Sequence, residues 1–186
     1  VLGALGAAGF LHTLGAARGQ ETEAQAELDE RSQAALARLV AQQSTFALEL
    51  HRALVAQGPE VNAFHSPLSV WTALAMLYEG AQGTTRDELA RALQLPRSAT
   101  GLRLAGNPLR DGMGALRTQL DASREHATLS TADALWFDHG FALNPAALEA
   151  LRSTFAATAE GLDFRGAPEP ARERINAWVK EHTAGK

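Results

Sequence analysis

Val70, Ala73, Leu74 and Leu77 recur at i, i+3, i+4 and i+7, a spacing that predicts the apolar stripe of a helix. Its start is written in Ser66-Pro67. The serine suits the N-cap, and the proline suits the first helical position, where its missing N–H costs nothing. Phe64, just before, reads as the apolar residue of a short extended segment. Gly80 and Gly83 mark the helix end, and Thr85-x-x-Glu88 reads as a capping box for a further helix with Leu89 and Leu93 on one face. Upstream, Leu39, Phe46, Leu50 and Leu54 space out a helix that closes at Gln57-Gly58-Pro59. Before it, the chain is polar and Ala-rich with interspersed Glu and Arg, a solvated helical arm or linker over 21–35.

Beyond Pro96, a Gly-, Asn- and Pro-containing connection leads to a short predicted helix over Met113 to Leu120. From Ala127 to Phe137 the pattern changes: Leu129, Thr131, Asp133, Leu135 and Phe137 alternate with Thr128, Ser130, Ala132, Ala134 and Trp136. That period of two predicts a strand with two unlike faces, turned by Asp138-His-Gly140. Asn144-Pro145 then starts a helix striped by Leu148, Leu151 and Phe155. Gly161 to Phe164 is a short strand candidate. Glu169 to His182 reads as a final helix with Ile175, Trp178, Val179 and His182 on one side.

Composition narrows the class. Apolar residues make up 46% and charged residues 20% of 186, the balance of a soluble globular chain with a core of its own. A formal charge of -4 argues against nucleic acid as a partner. No apolar run reaches the roughly 18 residues that span a bilayer, so no membrane partner is expected. Cysteine is absent, which excludes disulfides and thiol catalysis. Residues 1–20 are apolar and small from Val1 to Leu11 and again at Gly15-Ala-Ala17. They read as the remnant of a secretory signal, or as a Gly/Ala-rich leader without targeting meaning.

Candidate chemistry is sparse. There is no Gly-x-Ser-x-Gly elbow, no His-Glu-x-x-His and no P-loop, and an enzyme is not expected. Six scattered histidines (His12, His51, His65, His126, His139 and His182) never take metal-ligand spacing, so neither metal nor cofactor is expected. Ser66 and Ser69 lack a base placed by sequence, and helix capping explains them better than nucleophilic attack. Arg103, Arg110, Arg117 and Arg124 are interleaved with Asp111 and Asp121, a solvated face rather than a glycosaminoglycan site.

The ordered run Asn62-x-Phe-x-Ser-Pro-x-Ser69, followed by Gly80-x-x-x-x-Thr85-x-x-Glu88, closely resembles the serpin family. So do Leu129 to Phe137, with Asp133 where the family usually has Asn, and Ile175-Asn-Ala-Trp-Val179 with Thr183-Ala-Gly-Lys186. The resemblance covers residues 36–186. It implies an α+β, helix-rich N-terminal portion of a serpin domain packed on an incomplete β-sheet. It also implies a full-length protein, monomeric, that inhibits a serine protease through cleavage of a reactive loop and insertion of that loop as a strand, while secretion is expected from the signal-like pattern of residues 1–20. In the family this loop lies near the C-terminus and is not among these residues. Asn62, Ser66 and Ser69 match positions of the "shutter" beneath the family's main sheet, and Asn176 matches a supporting position in the helix crossing that sheet. Two rival readings are a non-inhibitory serpin-fold protein (chaperone, carrier or storage) and an orphan helical interaction module.

Overall fold

The computed structural model describes residues 5–58, 64–96, 107–122 and 131–183, with side-chain surroundings from residue 25. Six helices and two strands follow one another among these residues: α1 (Leu5–Gln57), α2 (Pro67–Gly80), α3 (Gly83–Ala92), α4 (Pro108–Ala122), β1 (Ala134–Asp138), α5 (Pro145–Ser153), β2 (Thr158–Leu162) and α6 (Pro168–His182). The architecture is the expected helix-rich α+β arrangement with a small sheet.

Local chemistry sets several starts. Ser66 caps α2 by accepting the Ser69 N–H at 3.3 Å, and Pro67 opens it. Asn144 caps α5 through the Ala146 N–H at 2.8 Å, again ahead of a proline. Asn107 accepts from the Leu109 and Arg110 N–H groups at the head of α4, five residues before the expected Met113 start. The capping box at Thr85 does not form: α3 begins at Gly83, with Gln82 in the cap position and no side-chain cap. Gly83, at φ +57, takes the left-handed turn that lets α3 start so soon after α2. α1 runs unbroken across both sequence boundaries at residues 20/21 and 35/36.

Of the stripe expected on α2, Leu74 packs against the core and the other three residues face outward. Trp71, Thr72, Ala75 and Met76 are buried, whereas Val70 and Leu77 are exposed. The helix is apolar nearly all round, so periodicity could not choose its inner face; the bulk of Trp71 did. Its ring is wholly enclosed and its indole N–H donates to the Leu93 carbonyl at 3.4 Å. Around it gather Leu39 and Phe46 of α1, Leu109 and Met113 of α4, and Leu151, Phe155 and Ala157 from α5 and the turn beyond. α1 and α4 meet closely at Gly112, where an added Cβ would lie 3.0 Å from Leu39 Cβ and 3.2 Å from the Ala35 carbonyl.

β1 and β2 are parallel, joined through α5, with Ala134 opposite Thr158 and Asp138 opposite Leu162. β1 begins at Ala134, seven residues later than the strand expected from Ala127; positions 123–130 lie outside the described residues. β2 occupies Thr158–Leu162 rather than 161–164, an offset set by its pairing with β1. Alternation assigns the two faces. Leu135 and Ala159 pack on the helical core, while Trp136, Thr158 and Glu160 meet α6. There Trp178 packs edge-on against Trp136, and its indole N–H donates to Thr158 Oγ1 at 3.0 Å. Arg174 grips Glu160 with two hydrogen bonds, at 3.1 and 2.7 Å.

The second strong polar tie is Glu79 to Arg110, bidentate at 3.2 and 2.7 Å, linking α2 to α4. The Glu79 side chain is 3% exposed and that of Arg110 38%. Removing the guanidinium would leave a desolvated carboxylate with its partner gone. Arg110→Ala is expected to cost about 3 kcal/mol in urea unfolding, the low end for broken buried pairs because Arg110 is partly solvated. The double change Glu79→Leu with Arg110→Met should recover most of that loss.

Candidate functional site

One polar line borders the core at the start of α2, at exposed Ser66 and Ser69 and buried Thr72, each three residues on from the last. These residues form one wall of a groove of about 670 Å³. α4 supplies Met113, Arg117 and Asp121, the segment entering β1 supplies Thr131 to Asp133, and the turn before β2 supplies Phe155 and Ala156. Sequence reasoning singled out the two serines and Asp133. Arg117, which it had read as part of a solvated face, belongs to the same groove.

Geometry limits what the serines can do. Ser66 Oγ accepts both the Ser69 N–H and the Ser69 hydroxyl, the latter at 2.9 Å. Its own hydroxyl hydrogen is left to donate elsewhere, a capping group with one adaptable bond. Among the described residues no histidine lines the groove, so none of them offers either serine an imidazole base there. Asn176 sits exposed on α6 and is not among the groove's lining residues. Asn62 lies outside the described residues. The structure therefore brings Ser66 and Ser69 together with Asp133 along one groove and leaves Asn176 apart.

Arg117 fixes the far wall. Its Nη1 donates to the carbonyls of Ser153 and Thr154, at 3.2 and 3.3 Å, satisfying acceptors at the end of α5. Just beyond, Ala156 takes φ 50, a left-handed conformation in which its Cβ is crowded. The strain lies in the turn that carries the chain from α5 into β2. Ala156→Gly is expected to raise stability by about 1 kcal/mol in denaturant titration.

Asp133 lies half-buried on the segment entering β1. Burial pushes its carboxyl above the ordinary value of 3.8. Its backbone carbonyl accepts the Thr158 N–H at 2.9 Å, so its position is tied to the start of β2. A carboxyl raised on folding binds protons more tightly in the native state than in the unfolded one. Stability therefore falls as pH climbs from the ordinary value through the raised one, and the penalty is full at neutral pH. Asp133→Asn should raise Tm at pH 7, and its advantage should shrink as pH falls and vanish below about 3. A constant difference across that range would contradict burial as the cause.

Among the described residues, no cluster of three or more His, Asp or Glu could hold a metal, and no helix is long and apolar enough to cross a membrane. Comparison with known proteins agrees with the fold. The family model described as Serpin (serine protease inhibitor) matches residues 41–186. The chain is 33% identical over 148 residues to the leukocyte elastase inhibitor of Bos taurus, covering 80% of this chain and 37% of that protein. It is 36% identical over 150 residues to Iripin-2 of Ixodes ricinus, covering 81% and 36%. An uncharacterised serpin-like protein of Thermococcus kodakarensis matches at 34% identity over 77% of this chain and 32% of that one. The solved structure of cleaved Serpin 42Da superposes with a TM-score of 0.62 at 24% identity, over 81% of this chain and 37% of its own, a likeness of fold. The chain thus spans about a third of the length of the relatives it matches. With the family model running through the strand, groove and helix elements described above, this chain belongs to the serpin family and carries the N-terminal part of its domain.

Proposed function

We propose that the full-length protein inhibits a serine protease of trypsin- or chymotrypsin-like type, by cleavage of a reactive loop that then inserts as a strand. One observation carries this reading. The serpin family model matches residues 41–186, and the relatives include the leukocyte elastase inhibitor of Bos taurus. Beside the segment entering β1 runs the groove whose α2 wall is Ser66, Ser69 and Thr72. A sheet that must part and re-form needs short polar groups able to exchange hydrogen bonds, since an apolar seam would only resist separation. On this reading Ser66 and Ser69 act as that adaptable floor, with Asn62 completing it and Asn176 supporting the helix above. The protease is a partner of the full-length protein; the reactive loop lies outside these residues. Secretion is proposed on the apolar run Val1–Leu11 followed by Gly15-Ala-Ala17.

Asp133 favours a second reading. A carboxylate partly desolvated at the entrance to β1 penalises the folded state at neutral pH and supplies no donor there. That suits a sheet that stays as built, as in a non-inhibitory carrier or chaperone of the same fold.

A single experiment separates the two. The full-length protein is incubated with trypsin-, chymotrypsin- and elastase-like proteases and run on denaturing gels. An inhibitor gives a covalent complex that survives denaturant and gains thermal stability once cleaved. Cleavage of the loop with neither complex nor gain in stability would sink the inhibitory mechanism.

A further inference from the structure

The chain leaves the helical core for β2 through a short passage, residues 154–157. Phe155 and Ala157 are buried there, and Ala156 takes φ 50. The Ala157 N–H donates to the Leu151 carbonyl and the Thr158 N–H to the Asp133 carbonyl, both at 2.9 Å. These bonds tie the passage to α5 on one side and to the segment entering β1 on the other. Half-buried Arg117 of α4 reaches across to it, its Nη1 donating to the Ser153 and Thr154 carbonyls. α4 is itself anchored, to α2 by the bidentate Arg110–Glu79 pair and to α1 by the close approach of Gly112 to Leu39.

We propose that Arg117 is a positioning residue for strand insertion, a pin that holds the passage into β2 against α4 and so restrains the strand pair from shifting on the helical core. This rests on the inhibitory reading, in which a new strand enters the sheet and the strands already there move over the helices beneath them.

Two kinds of contact join this region to the core. Leu135 and Ala159 pack on it through apolar surface, which is non-directional and lets one layer slide on another. The Arg117 hydrogen bonds are directional and weaken steeply as donor and acceptor lose alignment. A shift of the passage that stretches them takes a charged donor away from two carbonyls at the end of α5, where the helix itself supplies no partner. Arg117 therefore opposes the first movement of β2, and with it of β1, which is paired to β2 along its length. Both bonds come from one nitrogen, so a lysine ammonium at this position offers the same kind of donor.

The test compares full-length wild type with Arg117→Met, which keeps an apolar stem and removes the donors, and Arg117→Lys, which keeps a charged donor. Amide exchange is read at Ala157 and Thr158 in the passage, and at Leu93, whose N–H is held by the Leu89 carbonyl at the end of α3, as a reference. Arg117→Met should lower protection at Ala157 and Thr158 by at least about tenfold more than at Leu93, and Arg117→Lys should restore most of it. Equal changes at all three amides, or a lysine variant no better than the methionine one, overturn the pin. With a target protease and a fluorophore on the reactive loop, insertion in Arg117→Met should run at least about threefold faster than in wild type. An unchanged or slower rate overturns the role in insertion. Wild type that forms no covalent complex sinks the inhibitory reading and the insertion role with it, while the exchange data still decide whether Arg117 pins the passage.

Discussion

Enclosing the Trp71 side chain constrains everything packed around α2. Trp71 is the largest side chain held entirely out of solvent, and burying an indole contributes about 5 kcal/mol at ~25 cal/mol per Å² of apolar area. Its one polar atom must also be satisfied, and the Leu93 carbonyl does so. That bond draws the end of α3 back over α2. Gln94 follows at φ 58, and its amide reaches Glu49 on α1. One ring thus sets the rotation of α2, the path out of α3 and an anchor on α1. The polar line of Ser66, Ser69 and Thr72 points into the groove because Trp71 points into the core.

The parallel strands are positioned by contacts on both faces. Leu135 and Ala159 press on the helical core, and Trp136 and Thr158 receive Trp178 of α6. Among the described residues the strand pair is thus packed on both faces. Asp133 precedes β1, Arg117 holds the end of α5, and both line one groove with Ser66 and Ser69.

Much of this was legible in the sequence where the signal is local. Ser66-Pro67 and Asn144-Pro145 announce their helices because cap and first turn are adjacent in the chain. The family resemblance also rests on ordered local runs, Asn62 to Glu88, Leu129 to Phe137 and Ile175 to Lys186. Legibility failed where the outcome depends on distant partners. α2 offers two apolar faces, and only the third dimension chooses between Val70–Leu77 and Trp71–Met76. Alternation from Leu129 to Phe137 carried the right period but not the limits of β1, because pairing with β2 decides where strand geometry is recorded. Arg117 looked like one charge of a mixed face; its two carbonyl acceptors lie 36 and 37 residues further on.

The unbroken course of α1 matters for processing of the chain. Its 53 residues correspond to about 80 Å of helix at 1.5 Å per residue, yet the first buried side chain described on it is Ala35. A peptidase cutting after Gln20 would sever a helix rather than a loop, and so would require local unwinding at the cut. It would also create a fresh helix terminus with Glu21 and Glu23 in its first turn. Acidic groups there oppose the positive end of the peptide dipoles. The shortened rod would carry its own electrostatic stopper against fraying, well away from the core that begins a few turns downstream.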